Sequence, residues 1–173
     1  RGSVDDVLDR VVKAAQSCAA DIIVELHGDN PLLDPEIIDM AIQRYLVGDC
    51  DYVSTTLTNT FPSGLRVQVF SRQALEHIAR NSNDPADREH VSLHFYEHPK
   101  QYRLAHVEAP KEISRPDLRF TVDTPEDFAL VEKIYAALYP LNKNFGTRDV
   151  IEFINSSGIN TINAHIKSKA VRP

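Results

Sequence analysis

Short apolar runs alternate with amphipathic stretches along this chain, and that alternation limits its fold more than any other feature. Ile22-Ile23-Val24-Glu25-Leu26, Tyr52 to Thr56, Leu65 to Phe70, Tyr102 to Val107 and Leu118 to Val122 have the length and the β-branched or aromatic character of strands. The stretches between them read as helices. Val4, Val7, Leu8, Val11, Val12 and Ala15 predict a helix from about Val4 to Ala19, with Ser3 and Asp6 as its capping box. Asp34-Pro35-Glu36 opens a helix that runs to about Val47 and stops at Gly48, and Ser71 caps another carrying Ala74, Leu75 and Ile78. A single helix is expected from about Ala86 to Glu97. Thr124-Pro125-Glu126-Asp127 is a strong start for a helix sustained by Phe128, Val131, Ile134, Tyr135 and Leu138. Thr147 opens the last helix, which ends near Gly158, and the tail from Asn160 to Pro173 is expected to be exposed. Tyr45, Tyr135 and Tyr139 fall in helical patterns and read as core or interface. Strand–helix alternation of this kind builds an α/β fold, a largely parallel sheet with helices on its faces, and such sheets bind ligands at the carboxyl ends of their strands.

No repeat or compositional break divides the 173 residues, so residues 1–173 read as a single domain. A net charge of −6 argues against a general nucleic-acid binder, which needs a basic face to displace counterions. No apolar run approaches the length of a membrane span, and no basic-then-apolar leader pattern opens the sequence. Cys18 and Cys50 stand alone without CxxC spacing, so a disulfide framework or zinc ribbon is not expected. Both read as small buried hydrophobes, and a cytoplasmic location fits. Walker A, GxGxxG and GxSxG motifs are absent.

Three groups of residues could carry chemistry. Asp29 and Asp123 each follow a strand, and carboxylates converging there can share a Mg²⁺ ion, which takes one or two carboxylates together with phosphates and water. The alternative is a pair of ordinary turn residues. Asp34 and Thr124 already supply the nearby caps, which weakens that alternative. His90, His94 and His98 fall on one helical face, but a zinc site needs a further ligand, and a partly buried stripe is the preferred reading. Glu89 and His90 are candidate pocket contacts. Arg66 and Gln68 share the polar side of a strand opposite Leu65, Val67 and Val69. Arginine suits bidentate capture of a carboxylate or phosphate, but on the pattern alone an edge strand facing water is the favoured reading.

Four segments in order resemble the cytidylyltransferase family. They are Arg1-Gly2-Ser3 with Asp5-Asp6-Val7-Leu8, then Gly28-Asp29-Asn30-Pro31-Leu32-Leu33-Asp34-Pro35, then Arg88-Glu89-His90-Val91, and Thr121-Val122-Asp123-Thr124-Pro125-Glu126-Asp127. The pattern is most similar to the spore-coat polysaccharide branch, with the acylneuraminate and KDO cytidylyltransferases as relatives. It also places Arg1-Gly2-Ser3 in native sequence. The resemblance implies a three-layer α/β/α Rossmann-like nucleotide-diphospho-sugar transferase (GT-A-like) fold with a mostly parallel sheet. It implies transfer of CMP from CTP to a sugar acid or sugar phosphate for a surface glycan, and a homodimer with neither nucleic acid nor membrane as partner. By the same resemblance Asp29 and Asp123 are Mg²⁺ ligands and catalytic residues. Asn30, Arg66, Gln68, Glu89 and His90 are substrate contacts.

The sequence departs from the family pattern at two points. The family's Gly-, Arg- and Lys-bearing CTP loop has no counterpart here. The chain is therefore expected to be the C-terminal portion of an N-terminally truncated domain, inactive alone and with strand edges exposed. The branch also commonly carries acidic residues where Arg66 and Gln68 stand, so an anionic acceptor pairing with Arg66 is expected. Two competing readings are a nucleotide-sugar glycosyltransferase, for which Asp49-Cys50-Asp51 has the formal Asp-x-Asp spacing but precedes its strand, and a non-catalytic binding or assembly module.

Overall fold

A computed structural model describes residues 2–167. Helix starts follow local chemistry. In α1 (Val7–Ser17) the Asp6 side chain accepts from the Asp9 amide at 2.9 Å. The Ser3 hydroxyl takes the amides of Asp5 and Asp6 instead of capping, so the helix begins almost a turn later than the apolar spacing predicts. α2 (Pro35–Leu46) is capped by Asp34 and α3 (Arg72–Asn81) by Ser71. The strands are β1 (Ile22–Glu25), β2 (Tyr52–Ser54), β3 (Gln68–Ser71) and β4 (Leu104–His106). The helix expected over Ala86 to Glu97 is two helices, α4 (Pro85–His90) and α5 (Leu93–Glu97), separated by Val91 at φ 47°. α6 (Pro125–Leu138) carries the predicted Thr124/Asp127 capping box, and α7 (Thr147–Ser157) ends on left-handed Gly158.

The sheet order is β1-β3-β2-β4. β1, β2 and β4 run in one direction, as a mostly parallel sheet requires, but β3 runs the other way and lies between β1 and β2. The hydrogen-bonded pairing is therefore mixed, and among the four described strands β2–β4 is the parallel pair. β3 is central rather than an edge strand facing water, and Gln68 is buried. The expected strand at Leu118 to Val122 is an extended segment holding a single bridge, Ser63 to Arg119.

Side-chain alternation sends Val53, Val67, Val69 and Ala105 to one face, where α2, α6 and α7 cover them. Tyr52 and Phe70 point the other way, into a cluster with α1, α3 and α5. There Phe95 packs 5.1 Å from both rings, centroid to centroid. Helices on both faces make three layers. Cys50 is buried as expected, whereas Cys18 is exposed just past the end of α1. The tail is not uniformly exposed either. Asn163 is 2% accessible and donates to the Arg119 carbonyl at 3.0 Å, and residues 168–173 lie outside the described residues.

Gly64 fixes how the 61–64 turn meets the 118–122 segment. Its φ is +97°, and a Cβ there would stand 2.5 Å from the Thr121 amide nitrogen and 2.6 Å from the Phe120 carbonyl carbon. Both neighbours are backbone and cannot yield cheaply. Gly64→Ala is predicted to cost about 2–4 kcal/mol through positive-φ strain and this clash. Urea titration checks the loss, and an unchanged midpoint would remove the close-approach argument.

Candidate active site

At the carboxyl end of β1 the chain turns through His27 to Asn30, closed by the Asn30 amide donating to the His27 carbonyl at 3.2 Å. The Val122 amide donates to the Asp29 carbonyl at 2.8 Å, which ties the residue before Asp123 to Asp29 itself. Both aspartates line one cavity of about 730 Å³, together with Asn30, Arg66, Glu89 and His90. Six of the seven predicted site residues thus meet in a single space.

The walls of this cavity hold unsatisfied polar atoms. His27 Nε2, Asp29 Oδ1, Asn30 Oδ1 and Thr58 Oγ1 are buried without a hydrogen-bond partner, and all four residues line it. Each such atom costs about 1–3 kcal/mol when left unpaired, so their concentration marks a surface shaped for a polar ligand. Asp123 is oriented from below. Its Oδ2 accepts from Arg119 Nη2 at 2.5 Å, and the same guanidinium donates through Nε to Asp127 Oδ1 at 3.0 Å. Burial raises the Asp127 carboxyl, but hydrogen bonds from Arg119, Asn163 and the Asp123 amide outweigh that and hold it at about 2.

Gln68, the seventh predicted residue, lines a second cavity of about 360 Å³. His27, Arg66, Glu89 and His90 line both cavities, so the two adjoin along these side chains. Among the described residues the Arg66 guanidinium has no ion-pair or hydrogen-bond partner. Burial, then the charge of Arg66, lowers the pKa of His27, which keeps its imidazole neutral at pH 7. Gln68 is engaged from three sides. Its Oε1 accepts from Tyr52 Oη at 2.6 Å and Ser92 Oγ at 2.8 Å, and its Nε2 donates to Glu25 Oε2 at 3.1 Å.

The three histidines do not share a face. The break at Val91 leaves His90 on the cavity wall, while His94 binds Asp87 Oδ2 at 2.8 Å and stacks on His98 at 3.9 Å. Asp49 and Asp51 are occupied by Arg44 (2.6 Å) and Arg103 (2.8 Å) and line neither cavity, so nothing supports the Asp-x-Asp glycosyltransferase reading. Among the described residues no cluster of three or more His, Cys, Asp or Glu could hold a metal by itself, and no helix is long and apolar enough to cross a membrane.

Sequence reasoning missed Glu25, His27 and Arg119. The signal for Glu25 was a lone acid inside an apolar run; Arg119 gave none, because its partners lie on other segments. Burial pushes the Glu25 carboxyl from about 4.5 up to about 7, against smaller opposing effects of Ser92 and Arg66. The folded chain therefore binds more protons at Glu25 than the unfolded chain between those values, and stability falls as pH rises through that window. Glu25→Gln is predicted to match the wild type near pH 4 and to exceed it by up to about 3 kcal/mol at pH 8. Urea unfolding at both pH values measures the difference, and a pH-independent difference would contradict the burial argument.

The fold is that of the Rossmann-like nucleotidyltransferases. A solved cytidylyltransferase from Leptospira borgpetersenii superposes with a TM-score of 0.86 at 28% identity, covering 98% of this chain and 70% of that one. The chain belongs to the cytidylyltransferase family, whose model matches residues 1–147. It is 35% identical over 173 residues to an uncharacterized protein of Methanocaldococcus jannaschii, covering 99% of this chain and 69% of that one. It is 37% identical over 136 residues to the Bacillus subtilis spore coat polysaccharide biosynthesis protein SpsF, covering 78% and 55%. A 3-deoxy-manno-octulosonate cytidylyltransferase of Chlorobium limicola is 25% identical over 163 residues, covering 88% and 62%. The chain thus spans 55–70% of these relatives' lengths.

Proposed function

We propose that this chain forms the acceptor-binding and metal-binding part of an enzyme that transfers CMP from CTP to a sugar acid or sugar phosphate for polysaccharide synthesis. The observation that carries the reading is the placement of Asp29 and Asp123 on one cavity with an Arg66 guanidinium that has no partner among the described residues. Asp29 Oδ1 is buried and unbonded, and the Asp123 side chain is 39% exposed. Two hard carboxylates short of a full ligand set suit Mg²⁺, which completes its shell with phosphate oxygens and water. When bound, Mg²⁺ supplies charge neutralisation on the phosphates and alignment of the attacking oxygen with the α-phosphate.

The chain's own residues do the rest. Arg119 orients the Asp123 carboxylate from inside the fold. Arg66 holds the acceptor's anionic group where the two cavities adjoin, through charge-assisted hydrogen bonds. Glu89 and His90 bound the acceptor on the α4 side, and Asn30 presents its unbonded Oδ1 to a donor on the nucleotide or sugar. CTP chemistry and unpaired cysteines fit the cytoplasm.

The test measures pyrophosphate release by the full-length protein from CTP, with Mg²⁺ and then with EDTA, over a panel of acidic and neutral sugars. Asp29→Asn and Asp123→Asn are each predicted to lower kcat by about 10²-fold or more, the range seen when electrostatic stabilisation is removed from a transition state. Arg66→Ala is predicted to lower kcat/KM for acidic acceptors by about 10- to 100-fold and to leave neutral ones within about 3-fold. Equal losses on both kinds of acceptor would remove Arg66 from anion recognition. We also propose a homodimer; a monomer in sedimentation at high concentration would overturn it.

A further inference from the structure

Past α7 the chain comes back to the scaffold beneath the acidic rim. Ile159–Ile162 makes one turn of 3₁₀-helix that packs against α6, and Asn163 follows it. Ile162 packs on the main core, and the Ile166 amide donates to the Asn163 carbonyl at 3.0 Å, so the segment is held on both sides of Asn163. The Asn163 side chain is buried, and its nitrogen makes two hydrogen bonds, to the Arg119 carbonyl at 3.0 Å and to Asp127 Oδ1 at 2.8 Å. A carbonyl and a carboxylate can only accept, so the amide must turn its NH₂ toward them.

That one NH₂ group grips both members of the ion pair behind Asp123. The Arg119 guanidinium forks onto Asp127, with Nε 3.0 Å from Oδ1 and Nη2 3.2 Å from Oδ2. A planar fork on a carboxylate has a narrow geometry, so fixing the Arg119 backbone and the Asp127 carboxylate fixes the guanidinium plane. Asp123 is then set twice. Its amide donates to Asp127 Oδ2 at 3.1 Å, and its own Oδ2 accepts from Arg119 Nη2 at 2.5 Å. Among the described residues Arg119 is the hydrogen-bond partner of that carboxylate. Building on the metal-binding reading of Asp29 and Asp123, we propose that Asn163 is a positioning residue of the rim, holding the Arg119–Asp127 pair so that Asp123 presents its carboxylate to the divalent cation. Asn163 lies beyond residues 1–147, the stretch that matches the family model. Hydrogen-bond partners behind a metal ligand set its orientation, and a neutral one does so without adding charge. Replacing Asn163 by an apolar residue therefore changes direction at the rim while the count of charges stays the same. A role confined to packing predicts something different: lower stability, with unchanged cation affinity in the folded protein.

The experiment titrates the full-length protein with Mn²⁺, which shares the oxygen preference of Mg²⁺, and follows the free ion by electron paramagnetic resonance. The Mg²⁺ concentration giving half-maximal pyrophosphate release from CTP is measured alongside. Asn163→Leu removes the donor at nearly constant volume and charge. It is expected to weaken Mn²⁺ binding about 3- to 10-fold, less than a direct partner of a metal ligand because it acts through Arg119, and to raise the Mg²⁺ requirement by a similar factor. Asn163→Ala keeps the test readable should the leucine variant fail to fold. Ile78→Val, in the core on the other face of the sheet, is expected to lower the urea midpoint and leave Mn²⁺ affinity within about 2-fold. In an Asp123→Asn background Asn163→Leu is expected to cost no further affinity, because its route to the cation is gone. Unchanged Mn²⁺ affinity in the Asn163 variants, an equal loss in Ile78→Val, or a full further loss on top of Asp123→Asn overturns the positioning role and leaves the metal reading standing. Mn²⁺ binding that survives Asp123→Asn intact overturns the metal reading itself, and the positioning role with it.

Discussion

One buried guanidinium, that of Arg119, decides where the second acidic residue of the rim points. It donates to Asp127 at the first turn of α6 and to Asp123 just before that helix, while Asn163 binds both the Arg119 carbonyl and Asp127 Oδ1. Asp127 thus serves the helix cap and the ion pair together. With Asp127 1% exposed and Arg119 9%, neither charge has water as a substitute partner. Pairs of this kind contribute little net stability when intact, yet removing one member costs about 3–5 kcal/mol, because the other is left buried and unpaired. Its value here is direction: it holds Asp123 at the mouth of the larger cavity while the Val122–Asp29 backbone hydrogen bond brings the other aspartate alongside.

Two carboxyls on this scaffold are driven opposite ways by their surroundings. Asp127 has an arginine, an asparagine amide and backbone N–H groups, and it titrates at about 2. Glu25 has the Gln68 amide and the Ser92 hydroxyl beside it, but burial outweighs them and pushes it up to about 7. The first adds stability that is present above the ordinary carboxylate range and lost in acid. The second removes stability as pH rises toward 7. Structural carboxylates are satisfied from within the chain, whereas one that faces a cavity with its donors incomplete keeps part of its desolvation cost until something else supplies them.

Most helix starts were legible because they depend on neighbours in sequence, α1 with its misplaced cap being an exception. Thr124, Pro125 and Asp127 form the predicted box, and Asp34 and Ser71 cap where expected. The acidic rim was legible as far as placement goes, since Asp29 and Asp123 each follow an extended run. What failed depends on tertiary contact. Val91 reads as one more apolar helical position, but it sits at positive φ, and Ser92 beside it reaches Gln68 on β3. That break sends His90 to the cavity and leaves His94 to Asp87. The direction of β3 was equally invisible, because alternation of Leu65, Val67 and Val69 is the same whichever way a strand runs. Arg119 read as an ordinary polar residue in a short strand; its partners Asp127 and Asn163 are set by how α6 and the tail pack.

The strain at Val91 has a consistent physical place in this arrangement. A β-branched residue at φ 47° costs about 1–3 kcal/mol, and such conformations persist only when packing over-determines them. Here the constraint comes from two sides. Val91 is 3% exposed in the cluster that includes Phe95, and the next residue makes a buried hydrogen bond to Gln68. A regular helix through Val91 would keep His90, His94 and His98 on one face and forgo the Ser92–Gln68 contact. Without that contact the Gln68 amide would keep only the Tyr52 hydroxyl as the donor that turns its nitrogen toward Glu25. The aromatic cluster on one face of the sheet, the break between α4 and α5 and the polarity of the smaller cavity are therefore one coupled choice of packing.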